Sequence, residues 1–114
     1  MAQLVEIGPC DSDRVNQLLG STARQRPSVI LLYARHCPPC EQLHPQVEQV
    51  ARNTPEVDFY ALAAEGQRHL CKQLGIIGFP AQVFIDRNGN RSVVMGTDWR
   101  HINKALDKLL EEHV

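Results

Sequence analysis

The stretch Val29-Ile30-Leu31-Leu32-Tyr33-Ala34 is apolar throughout, without the alternation of a strand that has one face in water. Such a run fits a strand covered on both faces, at the centre of a sheet packed between helices. Past Arg35 and His36, Cys37-Pro38-Pro39-Cys40 opens a helix-like segment from Glu41 to Asn53. Cys40, Leu43, Val47 and Val50 recur there at helical spacing. A strand that turns into a helix through two cysteines sets the first sulfur against unpaired backbone N–H groups and the positive end of the helix dipole. Both favour thiolate over thiol, and the thiolate is the reactive form. The pair is suited to cycle between dithiol and disulfide. Proline fits a first helical position because that N–H has no intrahelical partner. Pro38 also withdraws one potential donor from the Cys37 sulfur and stiffens the loop.

The rest of the chain alternates strand and helix. Leu4 to Ile7 reads as a short strand broken by Gly8-Pro9. Asp11 or Ser12 can cap a helix to about Leu19, with Val15, Leu18 and Leu19 on one face. Gly20 to Ser28 is a polar connection. Pro45 lies inside the second helix and is expected to kink it. Val57 to Leu62 reads as a third strand, and Glu65 to Leu74 as a helix ended by Gly75. Gln82 to Asp86 and Arg91 to Met95 flank Asn88-Gly89, a strong hairpin signal. The last helix starts near Asp98, with Trp99, Ile102, Ala105, Leu106, Leu109 and Leu110 as its apolar stripe. This order predicts one α/β domain over 1–114. Its central sheet is mixed, because the late hairpin adds an antiparallel edge to parallel strands.

At 114 residues the chain can bury a single core, and 43% hydrophobic with 22% charged residues is ordinary for a globular protein. The net charge of -1 gives no reason to expect nucleic acid or an anionic membrane as partner. No apolar run approaches a membrane span. The start, Met1 to Glu6, lacks a basic region followed by an apolar stretch, so a cytoplasmic protein is expected. A precursor segment removed before this numbering would not show. Four cysteines, at 10, 37, 40 and 71, are too few for a disulfide-stapled secreted domain, and one tight pair points to redox or metal chemistry. His36, Cys37, Cys40 and His44 carry the residue types of a zinc site. A proline-stiffened turn with the second cysteine facing inward argues against four-point closure, so no metal and no cofactor is expected.

Over nearly its full length the chain resembles a thioredoxin. The matching pieces are Tyr33-Ala34-Arg35-His36-Cys37-Pro38-Pro39-Cys40, Pro45 in the following helix, Gly78-Phe79-Pro80, the Asn88-Gly89 hairpin, and Gly96 after the fifth strand. The resemblance implies the thioredoxin fold, a central mixed five-stranded sheet flanked by four helices. It implies Cys37 as the exposed nucleophile and Cys40 as the more buried resolving thiol. Pro80 would follow a cis peptide and face the pair, and the backbone of Phe79 would pair with an extended substrate strand. Gly78 and Gly96 would line the same groove, with His36, Pro38 and Pro39 on its rim.

Three departures from the family pattern stand out. The usual tryptophan before the nucleophile is His36, with Arg35 beside it; a cationic neighbour favours the Cys37 thiolate, and the flat apolar side chain is lost from the substrate surface. The usual buried aspartate six residues before the nucleophile is Leu31, and the lysine that approaches it is Ala61. That carboxylate helps move protons at the resolving thiol, so its loss predicts slower reduction unless water or a mobile side chain such as Glu41 substitutes. Finally, Pro-Pro stands between the cysteines in place of Gly-Pro. Tryparedoxins share Cys-Pro-Pro-Cys, but this chain lacks the tryptophan that precedes it there and is shorter.

The expected activity is thiol–disulfide exchange on disulfide-containing protein substrates by a monomer, with a thioredoxin reductase or glutathione as reductant. The alternative is a protein-binding module whose cysteines act as a lock or sensor, favoured by the missing charge pair. A glutaredoxin-like role ranks third, because Gly78-Phe79-Pro80 is closer to the thioredoxin pattern. Cys71 reads as a buried, unreactive thiol. Cys10 is a candidate for intermolecular pairing. His69, His101 and His113 read as surface residues.

Overall fold

The computed structural model describes residues 3–8, 11–20 and 25–111; Cys10 and His113 lie outside these. Its elements are β1 (Leu4–Ile7), α1 (Ser12–Leu19), β2 (Ser28–Tyr33), α2 (Pro38–Asn53), β3 (Asp58–Ala63), α3 (Arg68–Leu74), β4 (Ala81–Ile85), β5 (Arg91–Met95) and α4 (Trp99–Glu111). The five strands form one sheet in the order β1-β3-β2-β4-β5. β1, β3 and β2 run parallel, β4 is antiparallel to β2, and β5 is antiparallel to β4.

The apolar run becomes the central strand for the reason its composition suggests. Val29, Ile30, Leu31 and Leu32 are at most 2% exposed. Val29 and Leu31 face α2 and α4, packing with Leu43, Val47, Ala51, Ile102, Leu106 and Leu109. Ile30 and Leu32 face α1 and α3, packing with Val15 and Cys71. Each side chain so buried contributes about 1.5–3 kcal/mol relative to exposure. Both faces of β2 are filled over residues 29–32, and its polar side chains, Ser28 and Tyr33, stand at its two ends.

Several boundaries differ from the sequence reading. α2 starts at Pro38 rather than Glu41, and it runs unbroken through Pro45 to Asn53. α3 starts at Arg68, not Glu65. Gly66 takes a positive φ of 83°, outside the helical region, and Gln67 N donates to Ala64 O at 2.9 Å to close a turn there. At its other end Gly75 is left-handed, and Ile76 N donates back to Cys71 O at 2.9 Å. β2, β3 and β4 are each displaced by one residue from the expected spans, because the ladder pairs Ser28 with both Asp58 and Ile85.

The hairpin between β4 and β5 is built around a residue the sequence did not single out. Asp86 is 8% exposed. Its Oδ1 accepts from Asn88 N and Asn90 N, both at 2.9 Å, and its Oδ2 accepts from Asn90 Nδ2 at 3.1 Å. Asp86 N in turn donates to Asn90 O, and Gly89 supplies the positive φ. Asn88-Gly89 therefore sits in a five-residue loop held by one carboxylate. Asp86→Ala strands these donors and is expected to cost about 1–3 kcal/mol, measurable as a lower urea midpoint at unchanged slope.

Candidate active site

Cys37 is the cap residue of α2, in extended conformation, and its side chain makes no capping bond. Glu41 N donates to Cys37 O at 3.0 Å and closes the first turn. Pro38 and Pro39 occupy the first helical positions, so neither offers an N–H to the sulfur. Cys37 is half-buried, and its Sγ–H approaches Phe79 O at 3.9 Å. Cys40, one turn on, is 3% exposed. Cys37, Cys40 and Cys71 are all free thiols. Burial, and secondly a hydrogen bond with Cys37, push the Cys40 thiol up to about 11; a backbone hydrogen bond at Ala34 opposes this. Burial likewise pushes the Cys71 thiol up, as a solvent-shielded structural cysteine requires.

The loop that meets the cysteines joins α3 to β4. The Phe79–Pro80 peptide bond is cis, and Pro80 is under 2% exposed. Gly96 N donates to Pro80 O at 2.8 Å, and Gly96 holds a φ of +100°, which an L side chain rarely adopts. The Gly96–Pro80 bond thus ties the start of β4 to the end of β5 beside the cysteines. Pro38, Pro39 and His36 are exposed at the helix end, with His36 at a φ of +54°. Arg35 is engaged by Glu65: its N donates to Oε2 at 3.1 Å and its Nε lies 3.9 Å from Oε1. Arg35 thus has a carboxylate partner of its own beside His36.

Leu31 and Ala61 are direct partners across β2 and β3, and each is 1% exposed. Adjacent in the same register, they leave no charge in this part of the sheet. The next residue in the row is Gln82, paired with Leu31 across β2 and β4 and itself 1% exposed. Its Nε2 donates to Gly96 O at 3.4 Å, tying β4 to the groove edge, and its Oε1 has no hydrogen-bond partner among the described residues. Gln82 escaped the sequence reading, although a glutamine between Ala81 and Val83 in an otherwise apolar strand was the available signal. Ile77 and Met95 also escaped it. They are 91% and 44% exposed beside the Phe79-Pro80 loop, and Ile77 N approaches Met95 Sδ at 3.5 Å.

A cavity of about 380 Å³ opens beside Cys40, lined by Tyr33, Ala34, Arg35, His36, Glu41 and His44 as well as the cysteine. Tyr33 OH donates to Glu6 Oε2 at 2.8 Å, and burial together with that carboxylate pushes the phenol up to about 12. Among the described residues no three His, Cys, Asp or Glu side chains gather closely enough to hold a metal ion. The pair itself is suited to thiol chemistry: a half-buried sulfur at a helix N-terminus, with a second, buried sulfur one turn behind it.

Two such thiols on this sheet-and-helix frame are suited to thiol–disulfide exchange. The chain belongs to the thioredoxin family: the family profile described as Thioredoxin matches residues 12–108. It is 29% identical over 72 residues to a thioredoxin of Borreliella burgdorferi, spanning 62% of this chain and 62% of that protein. Its fold superposes on thioredoxin NaTrxh of Nicotiana alata with a TM-score of 0.80 at 16% identity, covering 94% of this chain and 92% of the other. It also superposes, with a TM-score of 0.75 at 18% identity over 93% of this chain and 94% of the other, on a chain of the complex between ferredoxin:thioredoxin reductase and thioredoxin f2.

Proposed function

We propose that this protein reduces or exchanges disulfides in other proteins through a Cys37–Cys40 cycle. The observation that carries the reading is the unequal burial of two thiols one helical turn apart. The Cys37 thiolate attacks one sulfur of a substrate disulfide, and the electron pair of that bond leaves on the other sulfur. The Cys40 thiol then loses its proton and attacks Cys37 Sγ, releasing the second substrate thiolate. Two electrons pass to the substrate, and a Cys37–Cys40 disulfide remains. A dithiol reductase or glutathione would restore the pair; the reductase complex formed by thioredoxin f2 makes a reductase the nearer choice.

The substrate strand would lie along Gly78, Phe79, Pro80 and Gly96, with His36, Pro38 and Pro39 on its other side. Ile77 and Met95 offer apolar contact beyond the reacting sulfur. Turnover slower than that of an ordinary thioredoxin is expected, because Leu31 and Ala61 supply no buried charge. Insulin-disulfide reduction with a dithiol donor tests the activity. Cys40→Ser removes the resolving thiol and is expected to accumulate mixed disulfides with several proteins, separable on non-reducing gels and released by dithiothreitol. Non-covalent capture of a single partner, unchanged when both cysteines are replaced, is the result that overturns the proposal.

A further inference from the structure

We propose that His44 is the general base for Cys40 in the resolving step, held for that role by Glu48. The inference rests on the cycle above, in which Cys40 must lose a proton before it attacks.

Cys40, His44 and Glu48 lie at successive i, i+4 positions of α2, where side chains are neighbours on one helix face. His44 Nδ1 is 3.0 Å from Glu48 Oε1. With Nδ1–H donated to that carboxylate, the neutral ring carries its lone pair on Nε2. Arg52, a further turn along, donates from Nη2 to Glu48 Oε2 at 3.5 Å and holds the carboxylate from behind. On the sheet side the Tyr33 ring meets the imidazole edge-on, with centroids 6.0 Å apart and planes at 82°. The imidazole is therefore fixed from two directions. It shares a solvent-connected cavity of about 380 Å³ with Cys40.

A nucleophilic thiol, an imidazole and a carboxylate that orients it form the arrangement by which a weak nucleophile is activated. Cys40 needs such help, because burial makes it a poor acid and the sheet behind it offers only Leu31 and Ala61. In the step, the Cys40 S–H proton passes to Nε2, directly or through water in the cavity. The sulfur lone pair forms the bond to Cys37 Sγ, and the substrate sulfur leaves with the electrons of the mixed disulfide. The imidazolium then returns its proton to solvent through the cavity mouth; His44 is 34% exposed there. The other titratable or charged groups facing the imidazole are Tyr33 of β2 with Glu6 of β1 behind it, Arg35 and His36 of the loop, and Glu41 of α2 itself. Of the carboxylates, Glu48 is the one bonded to the ring.

Stopped-flow reaction of the reduced protein with an aromatic disulfide, 5,5′-dithiobis(2-nitrobenzoate), separates the two steps. Attack by Cys37 releases a first coloured thiolate at a rate proportional to reagent. Displacement by Cys40 releases the second at a rate independent of it. In His44→Gln the second phase is expected to slow by roughly tenfold to a hundredfold near neutral pH, with the first within about twofold. The wild-type second phase is expected to rise with pH and then level off. In His44→Gln it is expected to climb steadily toward the titration of the buried thiol at about 11. Free imidazole is expected to restore much of the rate in His44→Ala and to leave the wild type unchanged. Glu48→Gln, which keeps the ring and removes its orienter, is expected to lose a few-fold. A full-rate second phase with a wild-type pH profile in His44→Gln overturns the inference and leaves the cycle standing, as does a loss in Glu41→Gln alone. Absence of a reagent-independent phase in the wild type overturns both.

Discussion

Serine in place of Cys37 is expected to abolish disulfide turnover, lowering kcat/KM by at least about a thousandfold. A serine hydroxyl stays protonated at neutral pH and is a poor nucleophile toward sulfur, whereas a thiolate attacks sulfur readily. Cys40 cannot take over. It is 3% exposed, and its thiol is pushed up to about 11, so almost none is ionised near pH 7. Cys71 is 8% exposed and packs between α3 and the sheet. The loss is not expected to reflect unfolding: the Cys37 side chain makes no capping bond, so the melting temperature of Cys37→Ser should stay within a few degrees of the wild type. Insulin reduction and thermal melts on one preparation check both halves of the statement. Full activity in the variant would falsify the assignment of Cys37 as nucleophile.

The second large effect concerns stability. Leu31→Asp is expected to destabilise the protein by about 3–5 kcal/mol at pH 7. Leu31 is 1% exposed, pairs with Ala61 and Gln82 across the sheet, and packs with Leu43 and Val47. The variant loses a packed leucine and places a carboxyl opposite Gln82, whose Nε2 is already donated to Gly96 O. Burial without a cation raises the folded-state pKa of the new aspartate above its unfolded value. The destabilisation is then smallest below pH 4 and grows as pH rises through the raised folded value. Urea unfolding from pH 4 to 8 reads this directly. Adding Ala61→Lys supplies the opposite charge from the adjacent strand and is expected to recover about 1–3 kcal/mol of the loss in a double-mutant cycle. Equal stability of Leu31→Asp across that pH range contradicts the burial argument.

Leu31 and Ala61 also indicate how far a sequence can be read. Both substitutions are visible in the chain, and the family resemblance relates them. Their register as direct partners, with Gln82 completing the row, is a property of the ladder. Gln82 stood in plain view as a polar residue in an apolar strand, but an exposed position would have been its ordinary explanation. Only the packing of α2 and α4 over that face makes it buried. Arg35 tells the same story from the surface. Its neighbours in the chain are His36 and Cys37, while the parallel pairing of β2 and β3 also brings Glu65 within reach.

What the sequence determined by itself is local. The apolar run of β2, the two cysteines and two prolines at the start of α2, the glycine that ends α3 and the Asn-Gly loop each act through residues within a few positions of one another. Propensity, capping and hydrophobic period operate at that range. The tertiary structure decided which distant groups meet. Phe79 O reaches Cys37 Sγ across 42 positions of chain, and Tyr33 on the central strand closes on His44 from across the layer boundary. Such contacts depend on strand order and helix packing, which no local pattern encodes. The reactive thiol was legible from its neighbours in the chain; the surroundings of its buried partner had to be built by the fold.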